Sequence, residues 1–261
     1  MQQPVLYRAP PTCTTMTLLN ALQAAQRGPA PPAPLPVALI AGAAGTLGAE
    51  VLRRLVGGHH YRQLRVLAQE DMTPALDRVE MVRVPSDDPS AWPLQPATVG
   101  VIVFDAPNLY NDRERALWTP QPAQLPALAA WMLRCGVHTL AVVVPHEQGR
   151  LPQALKAGLA NLDEHAVASM GFQRLLLVRP AVTPQAPPHA NVLEWLAHRM
   201  LSIFAYMVPS NEMPPRAADL AALVDEALRA MPPGVHIAPP ELARRTREAT
   251  VQETVRAWLA P

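Results

Sequence analysis

Residues 37–50 read VALIAGAAGTLGAE, a short apolar run followed by three regularly spaced glycines. Its apolar start ends at Gly42, and Gly45 and Gly48 follow, which gives the spacing G-x-x-G-x-x-G. Apolar residues then recur at helical spacing, so the order predicts a strand, a glycine turn and a helix. The chain contains only 12 glycines among 261 residues, so three in register after a strand are less readily explained by chance.

Each glycine of this turn has its own predicted role in holding a pyrophosphate. Gly42 permits a tight turn with an unusual φ, Gly45 lets the backbone approach the phosphates, and Gly48 lets the helix lie close to the sheet. The amide hydrogens at the helix start then face the anion. A strand, turn and helix of this kind begin a Rossmann unit. The predicted cofactor-binding residues of the turn are Gly42, Ala44, Gly45, Thr46, Leu47 and Gly48. A βα turn that binds no ligand is the alternative.

The chain after residue 37 alternates strand-like and helix-like stretches. This pattern predicts an α/β fold, a Rossmann-like doubly wound parallel sheet with helices on both faces. The predicted strands are residues 37–41, 64–69, 79–84, 99–105, 137–144 and 173–179. The predicted helices are residues 46–57, 122–135, 151–170, 191–206, 215–231 and 247–259. A short extended piece, Val235 to Ala238, is expected between the last two helices.

Residues 1–36 are predicted to be an N-terminal extension to a dinucleotide-binding domain of residues 37–261. A short helix is expected over Thr15 to Gln26, followed by a proline-rich linker. The extension either packs on its own domain or on a second copy of the chain, or it docks on a different protein.

The composition excludes several classes of function. The formal net charge of +1 gives no electrostatic basis for binding nucleic acid, and no apolar run approaches the ~20 residues that span a bilayer. Cys13 and Cys135 are too few for a disulfide framework, and the eight histidines lack zinc-type spacing, so no metal site is expected. A cytoplasmic protein is expected. Lys156 is the single lysine among 22 basic residues, which suggests a GC-rich bacterial genome.

Five segments together resemble the atypical short-chain dehydrogenases, in particular the NmrA-like proteins and the Tat-interacting-protein oxidoreductases. These segments are GAAGTLG at 42–48, VEMVRVPSDD at 79–88, GVHTLAVVVP at 136–145, GFQRLLLVRPA at 171–181 and PPRAADLAALVDEAL at 214–228. The resemblance covers residues 37–245 and implies a Rossmann-like domain that binds NAD or NADP.

The catalytic residues that this family uses are not found at the expected positions. Its members carry a serine at the end of the fifth strand and a tyrosine and a lysine four residues apart on the next helix. Aligning Arg179 with the family's Arg-Pro ending places Glu164 on the family's helix glutamate, Ala160 on the lysine and Lys156 on the tyrosine. Counting forward from the predicted strand 137–144 gives the same register.

A second register leaves the proton donor missing as well. If Lys156 is the family lysine, Pro152 stands where the tyrosine should be, and no tyrosine lies between Tyr110 and Tyr206. His146, directly after the fifth strand, is a weak candidate for a replacement donor, and Lys156 is a weak candidate for a ribose or phosphate contact. A solvated loop and a solvent-facing helix are the alternatives for these two residues.

The residues predicted to hold the adenosine half of the dinucleotide favour NAD over NADP. Family members that take NADP usually carry an arginine where Gln69 stands. Gln69 is neutral, and the adjacent Glu70 would accept a ribose hydroxyl and repel a 2′-phosphate. Asp87, at the end of the third strand, is predicted to meet the adenine.

Three functions remain open on the sequence alone. The first is a non-catalytic, regulatory or interaction protein that keeps a bound dinucleotide. The second is an NAD(P)-dependent oxidoreductase or epimerase-like enzyme with an unusual proton donor. The third is a cofactor-free scaffold. Partners are expected to be the dinucleotide, a protein bound through the N-terminal or C-terminal helices, or a second copy of the chain.

Overall fold

A computed structural model describes the chain over the following ranges. These are residues 34–74, 76–105, 112–144, 146–147, 162–179, 181–182, 216–239, 242–246 and 250–260. The chain divides into two units, Met1–Pro34 and Leu35–Pro261, and the described residues belong almost entirely to the second. The predicted helices at 15–26 and 191–206 lie outside the described residues.

Seven strands of the described chain form one parallel sheet. Their bounds are β1 Val37–Ala41, β2 Gln63–Ala68, β3 Val79–Arg83, β4 Val99–Val103, β5 Thr139–Val143, β7 Arg174–Val178 and β9 Gly234–Ala238. The order across the sheet is β3-β2-β1-β4-β5-β7-β9, and every neighbouring pair is parallel. The sheet confirms the predicted Rossmann-like α/β fold class, and the short extended piece near residue 235 forms its last strand.

The helices that follow the strands agree closely with the predicted ones where both are described. Their bounds are α1 Gly45–Gly57, α2 Asp112–Arg115, α3 Leu125–Arg134, α4 Leu162–Ser169, α5 Ala217–Ala230, α6 Leu242–Arg245 and α7 Val251–Leu259. The four-residue helices α2 and α6 were not predicted. A separate two-stranded sheet pairs β6, His146–Glu147, with β8, Ala181–Val182, where the sequence suggested a loop.

Side chains of the sheet alternate between two hydrophobic cores because successive residues of a strand point to opposite faces. In β1, Ala38 and Ile40 join the core under α1, α5 and α7, whereas Leu39 and Ala41 join the core under α3 and α4. The second core also contains three tryptophans, and the ring of Trp92 makes edge-to-face contacts with those of Trp118 and Trp131. All three tryptophans are buried core residues.

A buried ion pair joins α4 to the end of β7. Arg179 donates to Glu164 from both Nε, at 3.3 Å, and Nη2, and both side chains are almost completely buried. The fork of the guanidinium matches the two oxygens of the carboxylate, so the pair fixes both distance and orientation. The two residues that the family register aligned are therefore in contact.

Glu164→Gln tests this pair. The amide keeps the shape of the side chain but removes the negative charge beside buried Arg179, so we expect the free energy of unfolding to fall by about 3–5 kcal/mol. Asp71→Asn is the control, because Asp71 and Arg83 form an exposed pair at 2.9 Å that should contribute no more than about 1 kcal/mol. Equal losses in urea unfolding would contradict this account.

A second buried carboxylate lies where α1 packs against α5. Asp225 of α5 is 3.4 Å from Nε of Arg54 in α1 and 3.6 Å from Nη2 of Arg229. Burial nevertheless raises the pKa of Asp225 above its ordinary value, because loss of solvent outweighs the attraction of the two arginines. Burial, followed by the charge of Asp225, also raises the pKa of Tyr61.

Asp225→Asn should change how stability depends on pH. Since folding raises the pKa of Asp225, its contribution is complete below the unfolded pKa of ~3.9 and is lost as the pH rises through the folded-state pKa. The variant lacks this loss. We expect the free energy of unfolding of the variant minus that of the wild type to rise between ~pH 3 and ~pH 7. Urea unfolding at a series of pH values measures this difference, and Asp71→Asn is the control. A difference that falls as the pH rises would mean that the attraction of the arginines outweighs the effect of burial on the pKa of Asp225.

Candidate nucleotide-binding site

The glycine turn brings the end of β1 against the end of β4. Gly42 has φ +81°, which confirms the unusual φ predicted for it, and Gly45 has φ +73°. A Cβ on Gly42 would lie 1.9 Å from the carbonyl oxygen of Val103 and 3.0 Å from Cδ of Pro120. Glycine is required at position 42 by both its φ and its close neighbours.

Gly48 holds the first turn of α1 close to the glycine turn. A Cβ on Gly48 would lie 2.2 Å from the carbonyl oxygen of Gly42 and 2.9 Å from the carbonyl carbon of Ala43. The sequence predicted an approach of the helix to the sheet. In the structure the atoms nearest to a Cβ on Gly48 belong to the turn rather than to the sheet. Neither Gly42 nor Gly48 can therefore be considered without the other.

The N-terminus of α1 has no cap from its own sequence. Ala44 at the N-cap position makes no side-chain hydrogen bond, and the first turn of α1 contains no acidic residue. The first amide groups of a helix have no partner within the helix, and together with the helix dipole they attract anions. The start of α1 therefore attracts a negatively charged group from elsewhere.

Two carboxylates from distant parts of the chain occupy these amides. The N–H of Gly45 donates to Oε2 of Glu114 at 3.0 Å, and the N–H of Leu47 donates to Oδ2 of Asp105 at 2.7 Å. Asp105 follows β4 closely and Glu114 lies in α2, and both side chains are half-buried. The two carboxylates accept hydrogen bonds from the amides that the sequence assigned to a pyrophosphate, so a diphosphate could bind at these amides only after both carboxylates had moved away.

The residues predicted to hold the ribose lie at the carboxyl end of β2. Gln69 and Glu70 are exposed, and their backbone amides donate to the carbonyl oxygen of Ala116 at 2.8 and 3.4 Å. Ala68 forms an isolated antiparallel bridge with Leu117. Residues 116–118 therefore run along the end of β2, beside the position predicted for the ribose. They leave the side chains of Gln69 and Glu70 exposed to solvent.

Asp87, predicted to meet the adenine, is exposed in the loop after β3. Its carbonyl oxygen accepts a hydrogen bond from Nε2 of Gln124 at 2.8 Å. The adjacent Asp88 caps a 3-10 helix, Pro89–Ala91, and the hydrogen bonds from Ser90 lower the pKa of Asp88. Of this acidic pair, Asp88 has a structural role and the side chain of Asp87 faces solvent.

For the two weak catalytic candidates, His146 and Lys156, the structure describes no side-chain contact. The backbone of His146 belongs to the short strand β6, directly after the sheet strand β5. Lys156 lies outside the described residues. Among the residues described, no group of three or more histidine, cysteine, aspartate or glutamate side chains is placed to hold a metal ion. None of the described helices has the length and apolarity needed to cross a bilayer.

A cavity of about 260 Å³ opens beside the turn, between α1 and β3. Apolar side chains form most of its wall, including Leu52 of α1 and Met81 of β3, and Glu114 lies at its edge. Residues 69–78 connect β2 to β3, and outside Ala75 the structure describes no helix there that would cover this part of the sheet. Glu114 therefore contacts both the turn and an open apolar surface.

The strand order and the glycine turn together define a Rossmann-like protein. No protein-family model matches the chain, and no curated protein matches it. Among solved structures, a Rossmann-fold NAD(P)-binding family protein from Shigella flexneri is 14% identical, with 75% of this chain and 87% of that chain covered and a TM-score of 0.42.

Two further solved structures show the same general likeness. The Bordetella bronchiseptica enzyme WbmG, in complex with NAD, is 14% identical over 84% of this chain and 80% of that chain, with a TM-score of 0.45. Uronate dehydrogenase from Agrobacterium tumefaciens is 17% identical over 77% and 75%, with a TM-score of 0.43. The likeness is one of fold, which the sheet of this chain already shows.

Gly48→Ala tests the close approach at the turn. The new Cβ would meet backbone atoms that cannot move without opening the turn, so we expect a loss of about 1–3 kcal/mol in the free energy of unfolding. Gly57→Ala is the matched control at the other end of α1, where a Cβ meets no atom within 4 Å. That variant should be neutral or gain up to ~1 kcal/mol from helix propensity. Equal effects would contradict the close approach.

Proposed function

We propose that the chain binds NAD or NADP at the Gly42–Gly48 turn and acts as a regulatory or interaction protein rather than as a dehydrogenase. The observation that carries the binding proposal is the pair of amides, Gly45 and Leu47, that already hold anions. An anion site at the start of the first helix, at the carboxyl edge of a parallel sheet, suits a diphosphate. The cofactor, when bound, would supply hydride chemistry.

The absence of a proton relay rests on the sequence register. The contact between Glu164 and Arg179 supports the register that aligns both residues with the family pattern. In that register Lys156 takes the place of the tyrosine, and the serine and lysine positions are also changed. NmrA-like proteins, which this chain resembles, combine a dinucleotide with a regulatory role, and we propose the same combination here.

A cofactor-free scaffold is the second candidate, and one observation favours it. Asp105 and Glu114 satisfy the amides that a diphosphate would need, so the turn is complete without a ligand. In this case the glycines would be retained only for the close contact between the turn, β4 and α1.

Titration with NADH and NADPH distinguishes these functions. We expect both nucleotides to bind, NADH more tightly because exposed Glu70 at the end of β2 repels a 2′-phosphate, with no hydride transfer to a panel of carbonyl compounds. Nicotinamide fluorescence gives the affinities. Ligand at 100 times its Kd should add ~2.7 kcal/mol of stability in thermal unfolding. Turnover would contradict the regulatory role and favour an enzyme, and binding of neither nucleotide would favour the scaffold.

A further inference from the structure

We infer that Asp105 and Glu114 act as an internal competitor of the diphosphate, so that the protein holds its own nucleotide site closed until these carboxylates are released. This inference rests on the proposed function, because it assigns regulation to the same site. It concerns two residues that the glycine motif does not include and that lie 58 and 69 positions from their amide partners.

The hydrogen bonds place both carboxylates where the phosphates would bind. Their donors, the amides of Gly45 and Leu47, belong to the turn that is predicted to face the pyrophosphate. Both distances, 3.0 and 2.7 Å, are those of good hydrogen bonds, and an ionised acceptor strengthens each of them. A phosphate oxygen and a carboxylate oxygen cannot occupy the same amide together.

The two carboxylates carry the same total charge as the diphosphate that would replace them. The α1 helix provides neither a capping side chain nor an acidic residue in its first turn, so its dipole must be compensated from outside. Asp105 and Glu114 together bring two negative charges, as the diphosphate of a dinucleotide does. A diphosphate can therefore replace them, but it is repelled if they remain close to the turn.

The positions of the two residues allow release without loss of the turn. Neither residue belongs to β1 or α1, and both side chains are half-buried rather than enclosed. The close approaches of Gly42 to Val103 and of Gly48 to Gly42 involve neither carboxylate. A change that withdraws the carboxylates therefore leaves the anion site intact and raises its affinity, as expected when a competing state is removed.

The test compares nucleotide affinity in variants that keep the shape of each side chain but remove its charge. In Asp105→Asn and Glu114→Gln the amide oxygen can still accept from the backbone, so the fold is retained while repulsion of the diphosphate is lost. We expect the Kd for NADH and for NADPH to fall about fivefold in each variant, and further in the double variant, because each variant removes a negative charge that contributes about 0.3–1 kcal/mol at a helix N-terminus and that repels the diphosphate. Isothermal titration calorimetry or nicotinamide fluorescence measures it.

Two controls separate this effect from a general change of charge. Asp112→Asn removes a carboxylate from α2 that pairs with Arg115, and Glu50→Gln removes one from α1 that pairs with Arg53. Neither residue accepts from the amides of the glycine turn in the contacts described above, so both variants should bind nucleotide like the wild type. Thermal unfolding without ligand establishes that each variant is folded, and either test variant alone decides the question.

The outcomes are distinct. Tighter binding in Asp105→Asn or Glu114→Gln, with controls unchanged, supports the internal competitor. Binding that is measurable and equal in the wild type, the test variants and the controls overturns this inference and leaves the proposed function standing. Binding that remains undetectable in the wild type and in the double variant overturns the proposed function itself, and the inference with it.

Discussion

The close approach of the glycine turn to the end of β4 fixes the geometry of the candidate site. The carbonyl oxygen of Val103 lies so close to Gly42 that no side chain can be added there, and Gly48 sits equally close to Gly42. Together these approaches set how β1, β4 and α1 meet. They also direct the first amides of α1 towards the carboxyl edge of the sheet, where Rossmann-like proteins place their ligands.

Folding and the proposed nucleotide binding depend on the same backbone amides, those of Gly45 and Leu47. The helix dipole and the unpaired N–H groups at the start of α1 favour a negative group nearby, whether or not a ligand is present. Here the chain supplies that group from the region after β4, through Asp105 and Glu114. Such contacts stabilise the folded state in the manner of an N-cap, which contributes ~1 kcal/mol. A dinucleotide that takes their place must offset this stabilisation.

The fold was predictable because its signals are local. Continuous apolar runs such as Val99–Val103 are typical of strands covered on both faces, and the glycine spacing marks the turn between β1 and α1. The short helices α2 and α6 were missed, since four residues carry too little periodicity to be recognised. The pairing of β6 with β8 was missed because two residues of strand leave no pattern in the sequence.

The candidate site was predictable only in its backbone. The glycine spacing predicts a tight turn before α1, and the positive φ of Gly42 confirms the unusual backbone predicted there. Asp105 stands at the end of a predicted strand that borders the turn, so its approach was open to inference from strand order. The contact of Glu114 with the turn could not be inferred from the sequence, because it joins residues 69 positions apart and Glu114 lies in a helix of only one turn. Long-range contacts between a side chain and the backbone depend on tertiary packing.

We propose that the amides of Gly45 and Leu47 hold carboxylates in the free protein and a diphosphate in the complex. A crystal structure of the protein with NADH bound would decide this. We expect phosphate oxygens within hydrogen-bond distance of these two amides, with Asp105 and Glu114 displaced towards solvent. A nucleotide bound elsewhere, with both carboxylates still on the turn, would contradict it.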